Sequence, residues 1–347
     1  MRLLVLGGTR FVGRSVVEEA LRRGDEVTTV TRGVSGAPVD GARPLYVDRT
    51  DPVALAAALS ATRAEGPGEW DAAIDTWAGA PSVVRDSARL LADRVGHYGY
   101  VSSRSVYRWP VPPGLDESAP VVDGDPDSTD GSDYPAAKRG GELAVSGCFT
   151  RRALLARPGL VLGPHEDLGR LPWWLGRMRR GGEVLAPGPP ERPLQYIDVR
   201  DLAAWMRDAA ERGLDGVFNT VSRPGHATTA ELLAACNEVT GRRAQLVWVA
   251  PDVVEAAGVA AWTQLPIWAP PSGELAGLHD GDVAAARAEG LVCRPVGDTV
   301  RDTWRWLEDE GFPGPKEGRP AVGLDPELER RVLALARRPT DGTRGRL

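Results

Sequence analysis

Leu3-Leu-Val-Leu-Gly-Gly-Thr-Arg-Phe-Val-Gly13, running on through Arg14-Ser-Val-Val-Glu-Glu-Ala-Leu-Arg-Arg-Gly24 to Glu26-Val-Thr-Thr-Val-Thr31, decides how the rest of the chain is read. Leu3–Leu6 has the length and branching of a buried strand. Val12, Val16, Val17, Ala20 and Leu21 then recur at helical spacing, and Gly24 closes the segment. Glu26–Thr31 is rich in β-branched residues and predicts a second strand. Strand, glycine loop, helix and strand form the opening βαβ unit of a dinucleotide-binding fold, with the helix N-terminus aimed at a pyrophosphate. One position departs from the fingerprint: its central glycine is replaced by Arg10.

The chain has 347 residues, enough for a full core and one or two domains. A net charge of −6 argues against a surface built for nucleic acid or an anionic membrane. No apolar run is long enough to span a bilayer, and the first strand is too short for a signal peptide. Cys148, Cys236 and Cys293 lie far apart, which suggests a reduced, cytoplasmic protein. His97, His165, His226 and His279 form no cluster, so no metal site is expected.

Strand and helix patterns alternate after the opening unit. Strands are expected at Arg43–Val47, Ala72–Asp75 and Tyr98–Ser102, with helices at Pro52–Thr62 and Val83–Asp93. This alternation predicts an α/β fold, a Rossmann doubly wound parallel sheet with ligands at the carboxyl ends of its strands. Trp109–Asp133, full of proline, glycine and aspartate, suggests a long surface loop of the kind that is usually functional. Tyr134–Val145 returns to helix and Ala153–Arg157 to strand. Later helices are expected at Leu171–Arg180, from Asp198 as N-cap to Arg212, from the capping box Thr228-Thr-Ala-Glu231 to Thr240, and at Val300–Glu310. Short strands are expected at Gly216–Asn219 and Ala244–Val249, and Pro187–Pro193 as a loop. The expected organisation is a nucleotide-binding core over 1–165 that also takes in parts of 195–220. A smaller C-terminal substrate-binding cap covers 166–312, and a linker with a final helix covers 313–347.

Two stretches carry chemistry. In Tyr98-Gly-Tyr-Val-Ser-Ser-Arg-Ser-Val-Tyr107 a buried strand ends in serines, whose hydroxyls would point into the cofactor cleft. In Tyr134-Pro-Ala-Ala-Lys138 the phenol and ammonium share one helix face. A cation there stabilises the phenolate; moving a tyrosine pKa from about 10 to near 7 requires roughly 4 kcal/mol. Such a tyrosine exchanges a proton at neutral pH.

With these residues the chain resembles the extended short-chain dehydrogenases/reductases of the NAD(P)-dependent epimerase/dehydratase family, over about Met1 to Glu310. The resemblance implies that Tyr134 is the general acid/base, that Ser103 orients the substrate oxygen, and that Lys138 holds the nicotinamide ribose. It also implies a cofactor site formed by Gly7, Gly8, Thr9, Arg10, Phe11, Val12, Gly13, Arg32, Asp48, Trp77, Ala78, Ser102 and Pro158, together with Tyr134 and Lys138. Asp48 is placed to meet the adenine. Arg157-Pro-Gly-Leu-Val-Leu-Gly-Pro164 and Tyr196-Ile-Asp-Val-Arg-Asp-Leu-Ala203 match later landmarks of the family.

NAD-specific sites carry a carboxylate at the end of the second strand, where this chain has Thr31 and Arg32. A guanidinium there, with Arg10 in reach, favours the 2′-phosphate of NADP(H), with NAD(H) as the other possibility. The Asp-Glu pair of related sugar-nucleotide dehydratases is replaced by Arg104 and Ser105. Leu160 and Leu194 stand where epimerases grip the substrate's diphosphate, leaving Arg192 and Arg200 to compensate. Most of the tryptophans of the second half are expected in packing, with a minority in a pocket, and Thr263–Trp268 is expected as a loop over the cleft. Three functions follow. The first is an NADP(H)-dependent oxidoreductase acting on a carbonyl or alcohol of a small, largely apolar metabolite. The second is a sugar-nucleotide epimerase/dehydratase holding NAD tightly. The third is a non-catalytic nucleotide-binding or RNA-binding relative. Partners are expected to be a small-molecule substrate without nucleic acid or membrane, in a monomer or homodimer.

Overall fold

The computed structural model describes residues 1–61, 69–314 and 322–337. The expected helix end at Thr62, part of the linker and the polar tail after Arg337 lie outside the described residues.

The opening unit forms β1 (Arg2–Leu6), α1 (Phe11–Arg22) and β2 (Glu26–Thr31). It is followed by β3 (Arg43–Tyr46), α2 (Pro52–Ala61), β4 (Trp70–Asp75), α3 (Pro81–Leu91), β5 (Val95–Val101), α4 (Tyr134–Cys148) and β6 (Ala153–Pro158). The second half contributes α5 (Arg170–Arg180), β7 (Gly182–Pro187), α6 (Val199–Arg212), β8 (Gly216–Thr220), α7 (Thr229–Val239), β9 (Ala244–Val249), α8 (Val296–Glu310) and α9 (Pro326–Ala336). Seven strands make one parallel sheet in the order β8-β6-β5-β4-β1-β2-β3. The order reverses between β1 and β4, and the crevice above such a switch point is where dinucleotides sit.

Apolar runs become central strands because both faces are covered. Leu3, Leu4 and Val5 are fully buried, each buried leucine contributing about 2 kcal/mol. One face packs on α1 and α6 through Val16, Val17, Leu202 and Met206, the other on α2, α3 and α4 through Leu55, Val84 and Val145. A third cluster joins α5, α7, α8 and α9 around the parallel pair β7–β9. β7 lies where no strand was expected. Gly181 just before it and Gly182 at its first position both turn at positive φ, and its pairing partner comes only after α7.

Trp109–Asp133 is not a simple surface loop. Val111 and Leu115 are buried beside Tyr107, Tyr107 bridges to Val121, and Leu115 bridges to Gly281. The segment is thereby fastened to both halves of the chain. Asp198 caps α6 by accepting from the Arg200 N–H, and Thr228 and Glu231 form a reciprocal capping box on α7.

Candidate active site

The carboxyl ends of β1, β2, β4 and β5 open into two adjoining volumes. The smaller, about 190 Å³, is bordered by Gly7, Gly8, Thr9, Arg10, Arg32, Asp48, Trp77 and Ala78. The larger, about 810 Å³, is bordered by Arg10, Phe11, Val12, Gly13, Ala78, Ser102, Ser103, Tyr134, Lys138 and Pro158. Every cofactor-binding and catalytic candidate expected from the sequence borders one of the two.

The glycine loop is closed as tightly as backbone allows. A Cβ on Gly7 would lie 2.4 Å from Thr76 Oγ1, and one on Gly13 would lie 2.7 Å from the Gly8 nitrogen. Arg10 is accommodated because its backbone is extended (φ −133°) and its side chain leaves the loop, Nε donating to the Ser35 carbonyl at 3.2 Å. α1 begins with no side-chain cap and no acidic residue in its first turn, so its leading N–H groups are available to an anion. The loop therefore fits a pyrophosphate. At the far end Arg32 is more than half exposed and stands 3.9 Å from Asp48. Asp48 is held below the usual carboxylate range by its bonds from the Thr50 backbone and hydroxyl, with Arg32 adding to the effect.

The β4 end is fixed from beneath. Arg49 donates to both oxygens of Asp75 (2.6 and 2.7 Å), Tyr98 donates to the same carboxylate (2.7 Å), and the Trp77 N–H binds Asp75 Oδ1 at 2.9 Å. The turn carrying Trp77 and Ala78 is thus set by a buried ion pair. Lys138 ties this turn to the next strand, Nζ donating to the carbonyls of Trp77 and of Val101, the latter at 2.7 Å. Its ammonium lies 4.8 Å from the Tyr100 ring centre and 6.0 Å from that of Tyr134. Burial pushes the Lys138 pKa down to about 7, against the pull of Asp75 and Glu142.

Tyr134 opens α4, which Asp133 caps by accepting from the Ala136 N–H at 3.1 Å. Ser103 starts the short 3₁₀ turn Arg104–Val106, its Oγ accepting from the Ser105 N–H and donating to Ser105 Oγ, both at 3.1 Å. Ser102 is instead tied to the interior, its Oγ donating to Glu142 at 2.7 Å. Glu142 also receives Nε and Nη2 of Arg157 at 2.7 and 2.9 Å. Burial raises the Glu142 pKa, but these bonds outweigh it and hold the carboxyl ionised.

The chain matches the family described as "NAD dependent epimerase/dehydratase family" over residues 3–220. It belongs to that family. A curated relative, the epimerase family protein SDR39U1 of Bos taurus, is 28% identical over 256 residues, spanning 70% of this chain and 82% of the relative. The UDP-glucose 4-epimerase of Thermotoga maritima, solved with UDP-glucose, aligns with a TM-score of 0.63 at 19% identity, covering 89% of this chain and 99% of that one. The enzyme WbmG of Bordetella bronchiseptica, solved with NAD and UDP, aligns with a TM-score of 0.64 at 17% identity, covering 92% and 99%. At such identities the likeness to the solved structures is one of fold.

Several features of this family member escaped sequence reasoning. Gln195, Asp167, Arg170, Trp109, Trp262, Leu278 and His279 also line the larger cleft. They come from separate loops brought together by the fold, and no local spacing marks them. His279 is neutral: its Nδ1 accepts from the Gln195 N–H, Nε2 faces the Ile267 carbonyl, and burial pushes its pKa down to about 4. Two expectations are corrected. Arg192 and Arg200 do not border the cleft, being committed to the Ala276 carbonyl (2.7 Å) and to Asp198 and Asp302 (2.8 and 2.7 Å). Thr263–Trp268 is not a free cover, because Leu265, Ile267 and Trp268 are buried in the third cluster. Trp262, just before it, supplies the aromatic wall and stacks on Arg170 at 4.8 Å.

Proposed function

We propose that this chain is an NADP(H)-dependent oxidoreductase acting on a carbonyl or alcohol carbon of a small, largely apolar metabolite. The observation that carries the chemistry is the convergence of Ser103, Tyr134 and Lys138 on one cleft that continues into the glycine loop. When bound, the dinucleotide supplies or accepts a hydride at the substrate carbon. Tyr134 gives or takes the proton at the substrate oxygen, and the Ser103 hydroxyl hydrogen-bonds that oxygen. Lys138, held by two backbone carbonyls, meets the ribose and favours the tyrosinate. Gly7–Gly13 and the N-terminus of α1 hold the pyrophosphate, with Trp77, Ala78, Ser102 and Pro158 along the cofactor's length and Asp48 at the adenine.

Preference for NADP(H) rests on Thr31-Arg32 at the end of β2, with Arg10 alongside. Preference for a non-nucleotide substrate rests on Leu160 in the cleft wall and on the withdrawal of Arg192 and Arg200 from it. An epimerase working with tightly held NAD is the second reading. It is supported by the family match and by relatives named as epimerases, and uses the same Ser103, Tyr134 and Lys138. The assay that separates the two follows the nucleotide on purified protein. The oxidoreductase consumes added NADPH with a carbonyl panel, and an epimerase carries its dinucleotide through purification and consumes none. Tyr134→Phe should lower turnover by about 10²–10⁴-fold in either case; full activity in that variant refutes both.

A further inference from the structure

Trp262 and Trp109 each border the larger cleft and are only half-buried. Trp174 and Trp268, by contrast, are closed in the third cluster, their indole N–H groups donating to the carbonyls of Pro266 (2.7 Å) and Gly188 (3.2 Å). Trp262 is presented at a cost to the backbone. Its φ is +67°, in the left-handed region that a bulky side chain seldom enters, and Ile267 in the same turn has φ +75°. The turn is fastened in this shape. The Trp262 N–H donates to the Trp268 carbonyl (3.2 Å), the Gln264 N–H to the Ala260 carbonyl (3.0 Å), and Gln264 Oε1 takes the Ala260 N–H (2.8 Å). Leu265 and Ile267 anchor it in the core. Backbone strain that the surroundings hold in place clusters at positions that clamp ligands.

Arg170, the first residue of α5 and also on the cleft wall, stacks its guanidinium 4.8 Å from the centre of the Trp262 ring. Its own backbone N–H is fixed on Glu166 Oε1 at 2.7 Å. Two flat groups, guanidinium and indole, thus stand together as a rigid section of wall. Leu160, Leu168 and Leu278 border the same volume, and Trp109 adds a second indole from the segment after β5. A purely aliphatic wall accepts any apolar shape. A flat aromatic wall gains most from a flat partner, because aromatic pairs attract one another beyond the area they bury.

We propose that Trp262 determines substrate specificity by packing against an aromatic ring of the substrate, so that the metabolite is an aryl-bearing carbonyl compound or alcohol. This deepens the reading of the cleft given above and rests on it. Arg170 is a positioning residue that acts through the indole. Tyr134 and Ser103 border the same volume, so ring and reacting oxygen share one cleft.

The test is calorimetric titration of the full chain, saturated with NADP⁺ or NAD⁺, whichever it binds, so that the place of the nicotinamide is filled. Naphthamide is compared with its fully saturated counterpart, decalin carboxamide. Neither amide exchanges a hydride with the cofactor, and the saturated one is the more hydrophobic, so apolar burial alone would favour it. Wild type should bind naphthamide about fivefold or more tightly. Trp262→Phe should keep that preference and Trp262→Leu should lose it, whereas a tryptophan that only packs the core would weaken both ligands alike. Should Trp262→Leu fail to fold, nuclear magnetic resonance of indole-labelled protein decides. The indole N–H signal that disappears in Trp262→Phe should move with naphthamide, through the ring current of the ligand, and hardly at all with the saturated amide. Equal affinities in wild type, no naphthamide binding up to its solubility, a preference that survives Trp262→Leu, or an unmoved Trp262 indole each overturn the proposal. No turnover is read, so aryl preference without carbonyl reduction contradicts the oxidoreductase reading and leaves this subsite standing, and reduction without aryl preference does the reverse.

Discussion

Arg157 and Arg104 are both buried near Tyr107, and they live by opposite rules. Arg157 closes its Nε–Nη2 edge on Glu142, stacks over the Tyr107 ring at 4.8 Å, and through Glu142 holds Ser102. Arg104 turns the same edge to no partner within the described residues. A guanidinium paired inside the chain is a structural tie, whereas one buried without an acceptor on that edge carries the cost of its desolvation unrelieved. Sequence distinguishes the two poorly, since each is a single arginine near the carboxyl end of a strand, Arg157 within β6 and Arg104 just past β5.

The largest effect expected from this contrast is on stability. Arg157→Met leaves the buried Glu142 carboxylate with only Ser102 and Arg139 and should cost about 3 kcal/mol in urea unfolding. Arg104→Met removes an unpaired charge, so the same measurement should show a loss of under about 1 kcal/mol, or a gain. Equal losses in the two variants would erase the distinction.

Lys138 extends the comparison to a buried cation paired only with carbonyls. Its pKa falls from 10.5 unfolded to about 7 folded, so between those values the unfolded chain binds a proton that the folded chain has released. Stability therefore rises with pH across this window, and the cost of burying the charged form is complete below about 7. Lys138→Met should lose that rise, and its stability relative to wild type should fall as the pH goes from 7 to 10. A pH-independent difference would mean that the lysine stays charged in the fold. Smaller still is the expected effect at the exposed Arg32. Arg32→Ala should weaken NADPH binding by about tenfold and NADH binding hardly at all, with equal weakening contradicting the NADP(H) preference.

Much of the fold was legible because it is locally encoded. Leu3–Leu6, the helical spacing of Val12 to Leu21 and the β-branched Glu26–Thr31 give the first βαβ unit, and side-chain caps mark Asp198 and Thr228. β7 was missed because Gly-Glu-Val-Leu-Ala-Pro is short and paired with a distant strand. The glycine loop, the strand-end serines and Tyr134–Lys138 could be picked out by spacing and order, and the structure gathers them around adjoining volumes. His279, Gln195 and Trp262 could not, because their place in the cleft depends on chain paths far apart in sequence. Arg104 was visible only as a departure from an acidic pair, since burial and missing acceptors are tertiary facts.

On the reading proposed above, Tyr134 moves a proton while a nicotinamide carries the hydride. It is tested most directly by incubating the protein with NADPH carrying deuterium at the transferable nicotinamide position and a panel of oxo acids and simple ketones. Deuterium is expected on the carbinol carbon of a product, with the signal reduced at least about a hundredfold in Tyr134→Phe. Absence of deuterium from every product, or transfer undiminished in Tyr134→Phe, would contradict it.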